Sequence, residues 1–179
     1  IGGLAYLTHQ GYLENASVRN REPDSIPWPA WDLVPINNYL DHSISMFSSK
    51  GFRSMPMVAS RGCPYICNFC SNEQMWGTLY KMREPEDIIK ELKYYKKIYD
   101  IHGFDLADLT FITNRNWFLR FAKFLKESNL NLRWHVVNTR SEAIDEEVLK
   151  ALAESGCTKL CLAPDSGSDD HVNEMDKRV

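Results

Sequence analysis

The chain has 179 residues, a formal net charge of −3, and 44% hydrophobic residues beside 25% charged ones. This balance is typical of a folded globular chain and argues against disorder. The small negative charge predicts no broad nucleic-acid-binding surface, so a nucleic-acid partner is not expected. No apolar run reaches the ~20 residues that a membrane-spanning helix needs, so no membrane span is expected.

The cysteines and the chain ends bear on location and completeness. Three of the five cysteines fall within residues 63–70, which fits metal binding in a reducing compartment better than a set of disulfides. We therefore expect a cytoplasmic protein, because the first residues, IGGLAYLTHQ, also lack the basic start of a signal peptide. The chain opens inside an apolar segment and stops at MDKRV without a closing element, so it is expected to be a fragment.

The first part of the chain, residues 1–54, is predicted to be a linker or the end of an upstream domain. Residues 1–13 are expected to form a short pair of strands, with Gly11 at the turn. Residues 20–41 contain four prolines, which remove backbone donors and fix φ, so they form neither a sheet strand nor a long helix. Their tryptophans and leucines are too apolar for a free linker, and we expect this stretch to pack along a domain surface.

A regular alternation of strands and helices begins at residue 55. Strands are predicted over 55–60, 104–111, 132–140 and 158–167. Helices are predicted over 84–100, where Pro85 takes the first helical position, 116–128, and 145–156, which Gly156 closes. Strands that alternate with helices of this length require crossover connections, and the sequence therefore predicts an α/β fold with a parallel sheet, either part of a barrel or an open doubly wound sheet.

Polar and metal-ligating side chains occur at the end of each predicted strand. In both of these architectures, catalytic and binding residues collect at the carboxyl ends of the strands. The candidate site residues, in strand order, are Cys63, Cys67 and Cys70, then Asp108, then Arg140, then Asp165 and Ser166. Their recurrence at four successive strand ends predicts one shared site.

The three crowded cysteines have the spacing Cys63-x-x-x-Cys67-x-x-Cys70, with no fourth cysteine or histidine beside them. A structural zinc site needs four protein ligands, so a fourth would have to come from a distant residue. A redox pair would use Cys67 and Cys70 and leave Cys63 unused. Three cysteines can also hold a [4Fe–4S] cluster and leave its fourth iron open to bind another molecule. We favour the cluster, and the other two sites remain alternatives.

The segment SRGCPYICNFCS, residues 60–71, resembles the cluster motif of the radical S-adenosylmethionine (SAM) superfamily, with Phe69 at the aromatic position before the last cysteine. The segments WGTLYKMREPEDIIKEL, FDLADLTF, TRSEAIDEEVLKAL and GCTKLCLAPDSGS agree in order and spacing. With IPWPAWDLVPINNYLD upstream, they resemble the subgroup whose members carry a cobalamin-binding domain before the radical domain. The resemblance covers nearly the whole chain.

The resemblance implies a fold and a domain organisation. Residues 55–179 would be a radical SAM core that is truncated at its C-terminus. It would form a partial (β/α) barrel with about four of six strand–helix units. Residues 1–54 would be the linker to, or the end of, a cobalamin-binding domain that is itself not in this chain, so cobalamin is a possible further cofactor.

The resemblance also implies contacts for SAM. The three cysteines would hold the [4Fe–4S] cluster, whose open iron binds the amine and carboxylate of SAM. Phe69 would lie near the adenine, Asp108 would receive the methionyl amine, and Arg140 would pair with the methionyl carboxylate. Asp165 and Ser166 match a Glu-Ser-Gly-Ser sequence that binds the ribose hydroxyls in similar proteins, with aspartate here in place of glutamate.

The activity that the resemblance implies is reductive cleavage of SAM to a 5′-deoxyadenosyl radical that abstracts hydrogen from a small-molecule substrate. A flavodoxin-like or ferredoxin-like protein would supply the electron. The outcome would be cobalamin-assisted carbon methylation, or ring formation or oxidation. The alternatives are a radical methylthiotransferase acting on RNA, a non-catalytic iron–sulfur electron-transfer domain and a zinc-binding domain. A fragment of this kind is expected to turn over poorly by itself.

Overall fold

The computed structural model describes residues 2–18, 22–45 and 51–177. Parts of the predicted upstream segment, and the last two residues of the MDKRV end, therefore lie outside the described residues. In the part of the chain that is described, every helix is too short or too polar to pass through a lipid bilayer.

The N-terminal strand pair is confirmed. Strand β1 (Ala5–Thr8) pairs antiparallel with β2 (Gly11–Glu14). Gly11 is the first residue of β2, opposite Thr8, and has φ +114°, so it closes the turn rather than occupying its centre. A positive φ of this kind is accessible to glycine at little cost.

The next segment, which we call the connector (residues 22–45), contains two short 3₁₀ turns, Pro23–Ser25 and Trp31–Leu33, and helix α1 (Ile36–Asp41). It contains no strand, as its prolines predict.

The remaining elements follow in chain order. The strands are β3 (Ser54–Met57), β4 (Ser60–Arg61), β5 (Lys81–Met82), β6 (Gly103–Leu106), β7 (Arg133–Thr139) and β8 (Cys157–Leu162). The helices are α2 (Asn72–Trp76), α3 (Pro85–Tyr99), α4 (Arg115–Glu127), α5 (Glu146–Glu154) and α6 (Asp169–Glu174).

The predicted parallel sheet is confirmed. It has the order β3-β6-β7-β8, and each neighbouring pair is parallel. Helices α3, α4 and α5 connect its strands in turn. In the described residues the sheet ends at β3 and at β8, so the four strands form an open sheet that has not closed into a barrel. All four strands are shorter than predicted, because the residues after them leave the sheet as loops.

Aromatic rings fill the space between the sheet and the helices. Phe104 of β6 stacks on Trp134 of β7, with ring centroids 5.7 Å apart and planes 4° from parallel. Phe111 and Phe121 meet Trp134 edge-on, at 5.9 and 5.7 Å. Phe118 and Phe121 are fully buried and lie on the same face of α4. Removing one such ring from a core costs about 3–5 kcal/mol, so this layer holds the strand ends in place.

The connector packs on α3, as predicted for an apolar segment that lies along a domain. The indole Nε1 of Trp28 donates to the carboxylate of Asp87 at 3.2 Å. The indole Nε1 of Trp31 donates to the hydroxyl of Tyr95 at 3.1 Å. Both acceptors belong to α3, so the connector is joined to the first crossover helix by side-chain hydrogen bonds.

Candidate active site

The three crowded cysteines lie on a long loop between β4 and β5, which we call the cysteine loop (residues 62–80). Ser60 pairs with Met82 and Arg61 with Lys81, so a two-residue antiparallel ladder closes the base of the loop. Gly62 has φ +85°, and a Cβ there would lie 1.8 Å from the carbonyl oxygen of Leu79. Only glycine allows the two ends of the loop to approach this closely.

A buried amide organises the interior of the cysteine loop. Asn72 is 5% exposed, and its Nδ2 donates to the carbonyl of Cys63 at 3.1 Å and to that of Gly77 at 3.2 Å. The backbone N–H of Cys70 donates to the carbonyl of Cys67 at 3.0 Å, which forms a tight turn between these two ligand candidates. Asn72 could not be predicted as a site residue from the sequence, because its partners carry no local signal.

The cysteine side chains line a cavity of about 190 Å³ at the carboxyl ends of the parallel strands. Residues at or just after the ends of β6, β7 and β8 complete the lining, so side chains from four strand ends meet at this cavity, whereas the predicted Asp108 and Ser166 do not line it. Six of the predicted site residues meet here: Cys63, Cys67, Cys70, Phe69, Arg140 and Asp165. A larger groove of about 450 Å³ lies between α4 and α5, but it is lined by residues such as Lys123 and Glu127 and contains no cysteine.

Asp108 lies outside the lining of this cavity. Its side chain is buried, and it accepts hydrogen bonds from the backbone N–H of Ala59, at 3.1 Å, and from the hydroxyl of Ser60. Burial raises the pKa of Asp108 to about 6, against the opposing effect of these hydrogen bonds. Its carboxyl group therefore ties the loop after β6 to the residues that lead into the cysteine loop.

Arg140 follows β7 and reaches the cysteines. Its guanidinium Nη1 lies 3.9 Å from the sulfur of Cys67, and its Cζ lies 3.9 Å from the ring centroid of Tyr65. Its Nε donates to a carboxylate oxygen of Glu142 at 2.5 Å, and its Nη2 donates to the carbonyl of Lys177. The guanidinium is thus held on several sides beside a cysteine sulfur.

Asp165 and Ser166 are turned in different directions. Asp165 has φ +62°, in the left-handed region, and its carboxylate forms an ion pair with the ammonium group of Lys177. The hydroxyl of Ser166 accepts a hydrogen bond from the backbone N–H of Ser168 at 3.1 Å, just before α6, and does not line the cavity. Lys177 is 4% exposed and does line it. Lys177 could not be predicted as a site residue from the sequence, since nothing in MDKRV shows that the lysine turns inward.

The electrostatic environment of the cysteines is mixed. Burial raises the pKa of the Cys63 thiol, and negative charge on Cys67 and Cys70 would raise it further. A hydrogen bond with the backbone of Tyr65 and the charge of Arg140 act in the opposite direction. Thiols bind metals as thiolates, so metal binding by these cysteines would release protons. The positive charge beside the loop would stabilise the thiolates.

The residues present fit an iron–sulfur cluster. All three cysteines are free thiols that line one cavity. Over the described ranges, no three histidine, cysteine or acidic side chains converge so that they could hold one metal ion. A cluster makes a different demand, because each thiolate binds its own iron and three thiolates leave the fourth iron open. The buried guanidinium of Arg140 suits a negatively charged group in this position.

The comparison with known families agrees with this site. Residues 57–179 match the model of the radical SAM superfamily. The chain therefore belongs to the radical SAM superfamily, a family of enzymes that use a [4Fe–4S] cluster and SAM. This confirms the predicted family and enzyme class.

The relatives within this family carry out more than one reaction. An uncharacterized methyltransferase of Pyrococcus horikoshii is 30% identical over 164 residues, which cover 88% of this chain and 34% of the relative. An anaerobic magnesium-protoporphyrin IX monomethyl ester cyclase of Cereibacter sphaeroides is 26% identical over 184 residues, which cover all of this chain and 29% of the relative. The chain thus spans about a third of the length of the curated relatives that it matches.

A solved structure shares the fold. The cobalamin-dependent SAM radical enzyme OxsB, determined with aqua-cobalamin and SAM bound, superimposes with a TM-score of 0.73 at 19% sequence identity. The match covers 99% of this chain and 26% of OxsB. It confirms the predicted α/β fold, since a TM-score of this size joins two chains with the same architecture.

Proposed function

We propose that this chain is the cluster-binding core of an enzyme that reductively cleaves SAM to a 5′-deoxyadenosyl radical, which abstracts hydrogen from a small-molecule substrate. The observation that carries the proposal is the cavity in which three cysteines meet side chains from the ends of three further parallel strands. The bound cluster and SAM supply the electron-transfer and radical chemistry. The chain's own residues hold, orient and shield these groups.

The residues around the cavity have separate tasks in this proposal. Phe69 is 58% exposed at the cavity, where its ring can cover the adenine. Arg140 supplies positive charge for the methionyl carboxylate. Asp165 and Ser166 bind the ribose hydroxyls. For this, the carboxylate of Asp165 exchanges its ion pair with Lys177 for neutral hydroxyl donors, and the side chain of Ser166 has to turn from the N–H of Ser168 into the cavity.

Asp108 is assigned to the methionyl amine in the same proposal. To reach SAM, its carboxylate would have to turn away from Ala59 and Ser60, which donate to it in this structure. An ammonium group would compensate for the lost hydrogen bonds, because it would form an ion pair with the same carboxylate.

The proposed reaction class is carbon methylation with cobalamin as a further cofactor, and ring formation or oxidation is the alternative. The names of the methyltransferase and cyclase relatives, and the cobalamin bound to OxsB, support this choice. We propose that residues 1–54 lead from a cobalamin-binding domain into the core at residues 55–179. We further propose that a flavodoxin-like or ferredoxin-like protein supplies the electron for the cluster and that the enzyme is cytoplasmic.

The proposal is tested by anaerobic reconstitution of the chain with iron and sulfide. We expect about four irons per chain and an electron paramagnetic resonance (EPR) spectrum of the reduced cluster that changes when SAM is added, because the open iron binds SAM. Replacing Cys63, Cys67 or Cys70 by alanine should abolish this cluster. Cys161→Ala is the matched control, since Cys161 is an exposed free thiol on β8 and should leave the cluster intact.

Each contrary outcome has a distinct meaning. A cluster whose EPR spectrum does not change when SAM is added would indicate a fourth protein ligand and hence an electron carrier. Zinc near one equivalent with little iron would indicate a zinc-binding domain. Within the enzyme class, transfer of label from methyl-labelled SAM to the product separates methylation from ring formation.

A further inference from the structure

We infer that Arg140 is a positioning residue that directs a charged N–H donor at the sulfur of Cys67 and thereby favours the reduced form of the cluster. The inference rests on the proposed function, because it requires a cluster on the cysteine loop. It assigns Arg140 a role that does not depend on SAM, in addition to the proposed contact with the methionyl carboxylate.

The first observation is the approach of the guanidinium to one cysteine. Nη1 of Arg140 lies 3.9 Å from the sulfur of Cys67, which is within hydrogen-bonding range for a sulfur acceptor. Arg140 is 6% exposed, so water screens its charge poorly. The contact joins residues 73 positions apart, and therefore depends on the meeting of the cysteine loop with the end of β7.

The second observation is that the guanidinium is held in this orientation. Its Cζ lies over the ring of Tyr65, 3.9 Å from the ring centroid. Glu142 accepts from Nε at 2.5 Å, and the carbonyl of Lys177 accepts from Nη2. These contacts hold the guanidinium in the orientation in which Nη1 is directed at the sulfur of Cys67. A planar guanidinium held in this orientation loses little further conformational entropy when it donates to a charged group.

The charges around Arg140 decide how strongly it acts. Glu142 is about one-third exposed and partly offsets the guanidinium, whereas Lys177 adds a second cation that is itself paired with Asp165. A cluster on three thiolates carries negative charge, and one-electron reduction adds more. A donor and a cation beside a ligand sulfur stabilise the more negative state, and so raise the reduction potential.

The test measures the midpoint potential of the cluster without SAM, by redox titration followed by EPR, in chains matched for iron and sulfide content. For Arg140→Gln we expect the ratio of reduced to oxidised cluster at a fixed potential to fall about tenfold, which corresponds to about 59 mV for one electron. Arg140→Lys keeps the charge and should fall between this variant and the unaltered chain. Glu142→Gln removes the offsetting charge and should shift the potential in the positive direction.

Arg120→Gln is the matched control, since Arg120 is an exposed arginine of α4 that pairs with Glu84 and Glu86. It makes the same change of charge and should leave the potential unchanged. The inference is wrong if Arg140→Gln loads its cluster normally and keeps the original midpoint, even if its affinity for SAM falls. If Arg140→Gln takes up no cluster, the other two variants decide. The inference is then wrong if the midpoint potential of the cluster is unchanged in both Arg140→Lys and Glu142→Gln.

Failure of the inference is distinguishable from failure of the proposed function. If the unaltered chain takes up no [4Fe–4S] cluster, or if the EPR spectrum of its cluster does not change when SAM is added, the proposed function is wrong. If the cluster forms and responds to SAM while its midpoint is insensitive to Arg140 and Glu142, only the role of Arg140 is wrong.

Discussion

At the scale of single residues, Asp108 shows how burial changes a carboxyl group next to the site. Its side chain is 3% exposed, and burial raises its pKa from 3.8 to about 6. The folded state therefore binds a proton more tightly than the unfolded state. By linkage, this group contributes most to stability at low pH, and the contribution is lost as pH rises from about 4 through about 6.

Asp108→Asn should remove this pH dependence, because the amide does not titrate. We expect the unfolding free energy of the variant, relative to the unaltered chain, to increase by at most about 3 kcal/mol between pH 4 and pH 7. Denaturant unfolding at several pH values measures the difference, in which the contributions of other groups cancel. If the unfolding free energies of the two proteins changed with pH in parallel, the pKa of Asp108 would not be raised by folding and the prediction would be wrong.

At the scale of structural elements, the cysteine loop depends on the ladder between β4 and β5. This ladder has only two residue pairs, so it is weak by itself and needs support from its surroundings. Gly62 contributes by allowing the carbonyl of Leu79 to approach where a side chain would otherwise lie. The position of all three cysteines therefore depends on one glycine that carries no ligating side chain.

Gly62→Ala should open the base of the loop. Its Cβ would clash with Leu79 and its φ is positive, so we expect a loss of stability of at least about 3 kcal/mol and a loss of cluster uptake. Gly51→Ala is the matched control, because Gly51 has φ +77° but, among the described residues, no atom beyond its chain neighbours lies within 4 Å of the place its Cβ would take. It should cost only about 1–2 kcal/mol and leave cluster uptake intact. Equal effects of the two changes would refute the importance of the close approach.

At the scale of the whole molecule, Arg83 links the sheet, the cysteine loop and α3. Its backbone N–H donates to the carbonyl of Ala59 at 2.8 Å, and its Nη1 donates to the carbonyl of Val58 at 2.9 Å. Its guanidinium also pairs with Asp87 and with the buried Glu91, at 2.5 and 2.6 Å. Since Asp87 also accepts from an indole of the connector, this network joins the connector to the base of the cysteine loop.

Arg83→Met should destabilise the chain by about 3–5 kcal/mol, because it leaves Glu91 charged, buried and without its cation. Thermal or denaturant unfolding measures this loss. A second change, Glu91→Gln, removes the unpaired carboxylate charge of Glu91 and keeps an acceptor for the hydroxyl of Tyr95. The double variant should recover a large part of the stability, and a double variant no more stable than Arg83→Met would contradict the assigned role of the ion pair.

Much of the fold and part of the site could be predicted from the sequence, because they depend on local patterns. Apolar periodicity predicted the four parallel strands and three long helices, and Pro85 begins α3 as expected. Gly156 has φ +90° just beyond α5, where a left-handed residue ends a helix. The spacing of the three cysteines indicated a cluster before any geometry was known. Short elements such as β4, β5, α2 and α6 were missed, since two to six residues carry too little periodicity.

The sequence by itself thus determined the order of the elements, the parallel sheet and the three candidate cluster ligands. Only the tertiary structure decided that Asp108 faces Ser60, that Lys177 turns into the cavity and that Arg140 meets a cysteine sulfur. The physical reason is that each of these contacts joins residues far apart along the chain. Such contacts form only when buried side chains find partners in the packed molecule, and no local pattern specifies which partner that will be.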